Sequence, residues 1–351
     1  MKIDQLGEFG LIDRIRAALP PHGPRVLTGI GDDVAVLQAG EPPGAGAGGP
    51  PGAGAGATVW LATCDVLVEG SHFIRSRIPP RKLGRKALAV NLSDVASAGG
   101  TPRFALVSLG LPPDLDVEII DGLYEGLREE GTRHGVDVVG GNISRSRLGM
   151  FIDVFLLGEA PRDRVVLRSG ARPGDRILLT GRVGDAAAGV ALLLDPALKA
   201  AEPYASDAVE RQFVPTPRVR EGALIGSLKA ASAMIDVSDG IAGDLGHICE
   251  RSGVSARLQA DHLPVARENR ALSRSARGNE WHFALRGGED YELLFTAPPA
   301  RAAELAAAIT AETGTPVTDI GEILSADCPA ELVLPGGAHV PLGGAGWDHF
   351  K

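Results

Sequence analysis

Short apolar runs alternate with longer stretches in which apolar residues recur every three or four positions, a pattern that predicts alternating strands and helices. Strands are expected at residues 34–37, 58–62, 104–109 and 151–157, and amphipathic helices at 81–98 and 116–134. A polar connection rich in Arg, Pro and Gly follows over residues 159–175, after which strands are expected at 176–180 and 233–236, with further alternation to the end. The connection marks the expected boundary between an N-terminal domain, residues 1–160, and a C-terminal domain, residues 161–351, of α/β (α+β) class. Between the first two strands, residues 39–57 are almost wholly Gly, Ala and Pro, too poor in side chain to pack, and read as a flexible hairpin tip. Gly44, Gly46 and Gly49 have the spacing of a dinucleotide fingerprint, but repetitive composition gives that spacing by chance and no helix follows to face a phosphate.

Composition narrows the class of partner. With 351 residues, 44% of them hydrophobic, the chain can bury a core in each of two domains. A formal net charge of −9 and the lack of a basic stripe interleaved with aromatics argue against nucleic acid and anionic membranes as partners. No apolar run has the length of a membrane span. The first residues mix Lys2, Asp4, Glu8, Asp13, Arg14 and Arg16 with apolar positions and do not read as a signal or transit peptide. Cys64, Cys249 and Cys328 are odd in number and widely spaced, which points away from a disulfide framework or zinc knuckle and toward the reducing cytoplasm. An acidic protein that binds polyphosphates must use metal ions to do so.

The candidate chemistry is a set of acids beside glycines or at the ends of apolar strands. In the segment Gly29-Ile30-Gly31-Asp32-Asp33-Val34, two adjacent carboxylates either cap a turn or hold a cation, and strand alternation lets only one reach a given site. Asp65, in Thr63-Cys64-Asp65, sits between apolar runs, and His72 follows a glycine turn, where a lone histidine is most often simply a satisfied side chain. In the helix over 81–98, Leu88, Leu92 and Val95 share one face and Asn91 and Asp94 another. The second face is either solvated or part of a site, because an anion in the C-terminal half of a helix opposes the macrodipole. Gly140-Gly141-Asn142 places an amide after a strand and two glycines that permit close backbone approach. Asp236 ends an apolar strand, and Ser238 or Asp239 is expected to cap the following helix, which accounts for one acid but not for both. Finally, Gly287-Gly288-Glu289-Asp290 opens another strand with acids. Dispersed carboxylate, amide and hydroxyl oxygens are hard ligands suited to magnesium. The phosphate loop ending in Gly-Lys-Ser/Thr is missing, since the segment from Gly184 to Gly189 lacks the lysine; the protein-kinase motifs and the Gly-x-Ser-x-Gly elbow are missing too.

Taken in this order, and with Gly7-Glu8-Phe9 at one end and Gly346-Trp347-Asp348-His349-Phe350 at the other, these segments resemble the thiamine-monophosphate kinases, within the superfamily of aminoimidazole ribonucleotide synthetase and selenophosphate synthetase. The resemblance implies a homodimer whose N-terminal sheets join in a β-barrel, an α/β C-terminal domain, and a cleft between domains for ATP, several Mg²⁺ ions and thiamine monophosphate. It assigns Asp33, Thr63, Asp65, Asp94, Asp236 and Asp239 to metal, with Cys64 and Asn142 at ligand positions where the family usually carries a hydroxyl and an acid. ATP is assigned to Tyr124, Gly141, Asn142, Arg168 and Ser238, and the acceptor to His72, Glu289 and Trp347. No residue is expected to act as a general base, because the oxygens of a phosphate acceptor are already anionic near neutral pH; the expected reaction is direct in-line transfer. The rival readings are a non-catalytic protein that binds magnesium nucleotide or thiamine phosphate, and another ATP-using member of the superfamily. The lack of a cysteine near the N-terminus disfavours selenophosphate synthetase, and the matches at His72 and around Trp347 disfavour aminoimidazole ribonucleotide synthetase.

Overall fold

The computed structural model describes residues 3–39 and 57–343. The glycine-rich segment expected as a hairpin tip therefore lies almost entirely outside the described residues, as does Trp347.

The N-terminal half runs α1 (Ile3–Ala18, kinked at Gly7), β1 (Val26–Thr28), β2 (Ala35–Gln38), β3 (Thr58–Val68), α2 (Pro80–Ser97), β4 (Thr101–Leu111), α3 (Val117–His134), β5 (Asp137–Arg145) and β6 (Phe151–Pro161). Its six strands lie in the order β1-β2-β3-β6-β4-β5, antiparallel except for the β4–β5 pair. The C-terminal half runs β7 (Arg176–Thr180), α4 (Asp185–Leu194), α5 (Tyr204–Phe213), α6 (Val219–Leu228), β8 (Ala233–Asp236), α7 (Ile241–Ser252) and β9 (Val254–Gln259). It continues with α8 (Arg267–Arg277), α9 (His282–Arg286), β10 (Leu293–Ala297), α10 (Pro299–Thr313), β11 (Val317–Ser325), β12 (Glu331–Val333) and β13 (His339–Pro341). These seven strands lie in the order β13-β12-β9-β11-β7-β10-β8, with β12–β9 the one parallel pair. Two mostly antiparallel sheets flanked by helices make the chain an α+β protein of the expected class.

The expected helices end within a residue of those observed, and β7 and β8 have the expected bounds. β3 and β6 are longer than expected, because their eleven-residue pairing carries the polar positions Thr63, Asp65, Asp153 and Glu159 along with the apolar ones. The two glycines Gly140 and Gly141 do not end a strand but lie inside β5, at the edge of the sheet, just after a bulge at Val139 that leaves this residue without a partner on β4.

α2 is the centre of the molecule. It packs on β3, β4 and β6 and on α3 in its own half, and on α6 and β8 in the other. Close approach to α3 depends on Gly84 and Gly126, where an added Cβ would stand 1.9 Å from the carbonyl oxygens of Leu123 and Arg81. Leu88 and Leu92 of α2 are fully buried with Leu61, Ile152 and Leu156 of the sheet, and truncating any one of them to alanine is expected to cost about 2–5 kcal/mol. Because both sides of the helix are covered, its polar residues are buried as well: Lys86, Asn91, Ser93 and Ser97 are all enclosed. The solvated-face reading of Asn91 and Asp94 fails for this reason. This polar helix face is enclosed between the two halves of the molecule and is not a solvated surface.

Candidate active site

A cleft of about 1150 Å³ opens where α2, the start of β2 and the middle of β3 meet β8, α7 and the loop between α9 and β10. Three acids are delivered by the ends of regular elements or by the residues just before them. Asp33 precedes β2, Asp94 sits in the last turn of α2, and Asp236 is the last residue of β8; one carboxylate oxygen from each lies within 4.8 Å of the other two.

Hydroxyls hold this cluster. Ser97 Oγ donates to Asp33 Oδ2 at 2.6 Å, Ser93 Oγ to Asp236 Oδ2 at 2.5 Å, and Thr63 Oγ1 to Asp94 Oδ2. One cation adjoins it: the Arg168 guanidinium donates to Asp33 Oδ1, through Nε at 2.8 Å and through Nη2. The adjacent acids divide as expected of a turn. Asp32 accepts the N–H groups of Asp33 (3.1 Å) and Arg168 (3.2 Å) and so ties the loop to the second half, leaving Asp33 for the cluster. Asn91 also has a structural task, since its Oδ1 accepts the Asp65 N–H at 3.0 Å and its Nδ2 donates to the Ala87 carbonyl at 3.1 Å.

Hydroxyls orient carboxylates without neutralising them, and the acids here hold their protons abnormally well. Burial, then the charges of Asp65, Asp236 and Asp33, raise Asp94 well above the ordinary carboxylate range. Burial and Asp33 push Asp236 up to about 8. Burial and the neighbouring Asp33 raise Asp32 to about 6. Asp244, in the first turn of α7, is raised well above its usual value by burial and by Asp239 and Asp236. A hard cation among these oxygens relieves both causes at once, and oxygen donors of this kind fit magnesium.

Asp65, Ser238, Asp239 and His72 all border the cleft. The N-cap position of α7 is held by Gly240 and not by Ser238 or Asp239 as expected, and the Asp239 N–H donates to Asp244 Oδ2 at 3.2 Å. His72 accepts the Val68 N–H on Nδ1 at 3.0 Å. Glu289 reaches the cleft from a segment held in an unusual shape. Its own φ is 70° and that of Tyr291 is 52°, a conformation that costs a non-glycine residue roughly 1–2 kcal/mol. The segment pairs with the end of β8 through Glu289 N–H to Ser238 O and Tyr291 N–H to Val237 O, both 2.8 Å. Gly288 permits the approach, since a Cβ there would lie 2.0 Å from the Ser238 carbonyl.

Among the described residues, three expected site residues do not border the cleft, and a fourth, Cys64, borders it with its thiol engaged elsewhere. The Cys64 thiol lies on the face of β3 opposite Thr63 and Asp65 and donates to Asp153 Oδ1 at 3.1 Å; burial and that partner push it up to about 12, which keeps the thiol protonated and turned from the three clustered acids. Gly141 and Asn142, on the edge strand β5, and Tyr124, on α3, do not border the cleft of their own chain. Conversely, Lys86 and Asp244 belong to the site's surroundings and were not singled out in the sequence. Lys86 had a legible signal, a polar stripe with Ser93 and Ser97 at helical spacing; Asp244 had none, because an acid in the first turn of a helix is ordinary.

Comparisons with known proteins place the chain in a family. The chain matches the family models for AIR synthase related protein, N-terminal domain, over residues 31–160, and AIR synthase related protein, C-terminal domain, over residues 172–328. It is 37% identical to the thiamine-monophosphate kinase of Aquifex aeolicus (strain VF5) over the whole of both chains, and 36% identical to that of Escherichia coli (strain K12) over 98% of each. Among solved structures it is similar to AaThiL complexed with AMPPCP and TMP, with a TM-score of 0.80 and 36% identity over 99% of both chains. The hydrogenase maturation HypE–HypF complex, at 19% identity and a TM-score of 0.73 over 94% of this chain and 98% of the matched chain, shares the fold.

Proposed function

The chain belongs to the thiamine-monophosphate kinases, a family of AIR synthase related proteins, and from that membership we propose that it transfers the terminal phosphoryl group of ATP to thiamine monophosphate, giving thiamine diphosphate. The observation that carries the reading is the cluster of Asp33, Asp94 and Asp236, three carboxylates within 4.8 Å in a cleft that also holds His72 and Glu289.

The reaction must bring two highly negative groups into line. The acceptor phosphate is already nucleophilic near neutral pH, so the chain need not remove a proton from it. Its task is positioning and charge compensation. Asp33, Thr63, Asp65, Asp94, Asp236 and Asp239 are the residues that would hold Mg²⁺, and their oxygen donors fit that ion. When bound, magnesium ions neutralise the charge shared by the approaching phosphates. Arg168 supplies a fixed planar cation beside Asp33, and Ser238 borders the nucleotide end in this reading. Residues 1–160 would carry most of the metal and nucleotide contacts, and residues 161–351 would contribute Glu289 and close the cleft.

A homodimer belongs to the same reading. The sheet face turned away from α2 exposes Val66, Val68, Phe104, Leu106, Phe151 and Phe155, a contiguous apolar surface contributed by β3, β4 and β6. A surface of this kind on a sheet is normally covered by a partner. A cytoplasmic location is supported by the free cysteines Cys64, Cys249 and Cys328. Among the described residues no helix is long and apolar enough to cross a membrane.

ADP release measured with thiamine monophosphate, thiamine or no acceptor, with and without Mg²⁺, and with the product identified by mass, tests the proposal. Thiamine diphosphate formed only from the monophosphate and only with Mg²⁺ is the expected result. Binding of both ligands without ADP release would replace it with the non-catalytic reading.

A further inference from the structure

Lys86 lies in the first half of α2, and none of its side chain meets solvent. Its Nζ has partners on both sides of the junction between the two halves: Glu289 Oε1 at 2.5 Å from the C-terminal half, and the His72 carbonyl at 3.4 Å from the N-terminal half. A buried ammonium without a partner is strongly unfavourable, so the position of Lys86 and that of Glu289 fix each other. The rest of Glu289 is equally constrained. Its other oxygen accepts from Gln212 Nε2 at 3.2 Å, and its backbone is held in the left-handed region by the pairing with Ser238. Left-handed backbone at a non-glycine residue persists only where the surroundings over-determine it. Here the ion pair, the strained backbone and the His72 turn converge on one wall of the cleft.

Resting on the reading above, in which His72 and Glu289 hold the acceptor, we propose that Lys86 is a positioning residue for acceptor recognition. It locks the Glu289 carboxylate and the His72 turn into one unit across the domain junction. It also neutralises Glu289, so that this carboxylate meets the acceptor as a hydrogen-bond acceptor and not as an unpaired anion. A paired carboxylate gains little from a second cation, whereas a neutral N–H donor still finds a lone pair. The group Glu289 takes is therefore the amine of the acceptor's pyrimidine and not its cationic thiazolium ring.

The test compares steady-state kinetics of the full chain with those of Lys86→Met, Glu289→Gln and the double variant, using ATP with thiamine monophosphate or with the analogue whose pyrimidine amine is replaced by an oxo group. Lys86→Met is expected to raise the acceptor KM by about tenfold or more while the KM for ATP stays within about twofold, and the double variant to resemble the worse single. The preference for the amine over the oxo analogue, strong in the unaltered chain, should shrink in all three variants. If Lys86→Met does not fold, the double variant, which buries no unpaired charge, carries the same expectation. An unchanged acceptor KM, a parallel rise in both KM values, or an unchanged amine preference overturns the proposal. An unaltered chain that releases no ADP with thiamine monophosphate sinks the functional reading and this inference with it. Activity with intact acceptor recognition in the variants sinks the inference alone.

Discussion

A lone buried carboxylate, Glu292, and the cluster of three lie close together in this molecule, since the Glu292 carbonyl accepts the N–H of Val237 beside Asp236, and they are held in opposite ways. Glu292 is 2% exposed, yet Arg218 meets both of its oxygens, at 2.6 Å and 2.5 Å, and Thr180 Oγ1 adds a third bond at 2.7 Å. Charge and hydrogen-bonding capacity are matched, as a carboxylate with a purely structural task requires. Asp33, Asp94 and Asp236 are crowded within 4.8 Å of one another with three hydroxyls and one guanidinium among them. The second arrangement carries mutual repulsion that either a retained proton or a bound cation relieves. Buried acids thus report function less by their burial than by the kind of donor that accompanies them.

The largest test of that contrast pairs Asp94→Asn with Glu292→Gln. Removing one carboxylate from the cluster should lower the transfer rate on the order of a thousandfold, the equivalent of several kcal/mol of charge compensation. The same change should raise the melting temperature of the metal-free protein by about 2–4 °C, because a repelled and desolvated charge has gone. Glu292→Gln should do the reverse: it strands the Arg218 guanidinium and should destabilise the fold by about 3 kcal/mol or more, while the rate of what remains folded changes far less. Thermal unfolding and initial rates measured on both variants decide the matter. Equal losses of stability in the two would break the distinction.

Much of this was legible in the sequence, and the exceptions have physical causes. Helical periodicity fixed α2 and α3 to within a residue, and the acids at Asp33, Asp65, Asp94 and Asp236 stood out because each sits beside a glycine turn or an apolar run. The lengths of β3 and β6 were hidden because Thr63, Asp65 and Asp153 interrupt the apolar run, and pairing over eleven positions overrides that local signal. The burial of Lys86, Ser93 and Ser97 was hidden for a different reason. Periodicity shows that a helix has two faces, but only the position of α6 and β8 from the other half shows that α2 is covered on both.

A test of intermediate size uses pH. Asp236 is raised from 3.8 to about 8 in the folded chain. Below the lower value both folded and unfolded chains are protonated and this group leaves stability untouched at its maximum. As pH rises toward 8 the unfolded chain releases a proton that the folded chain keeps, so the contribution is lost and the metal-free protein becomes less stable. Thermal melts in chelator between about pH 5 and pH 8 should show this decline, and Asp236→Asn should flatten it. Because Mg²⁺ must displace the same proton, its affinity should climb over the same interval, which calorimetric titration at the two ends can measure. A metal-free melting temperature that holds level or rises would show that Arg168 and Ser93 already compensate Asp236, and the cluster would then resemble Glu292 after all.

The smallest expected effect belongs to Asn142, at a position where the resemblance read from the sequence implies an acid. One oxygen ligand remains to it, but the charge is lost. In a single chain it stands on the edge strand β5, in register with Ser108, and does not border the cleft. The exposed apolar face of the same sheet offers a resolution, since a second copy docked there would bring β5 toward a neighbouring chain. On that arrangement Asn142→Asp should lower the Mg²⁺ concentration for half-maximal rate by roughly three- to tenfold, while a surface change of this kind alters stability by no more than about 0.5 kcal/mol. A magnesium dependence that does not move would mean that the charge at this position never reaches a metal. The carboxylates gathered by α2, β2, β3 and β8 would then be the complete set, and the uncompensated cluster would be sufficient within one chain.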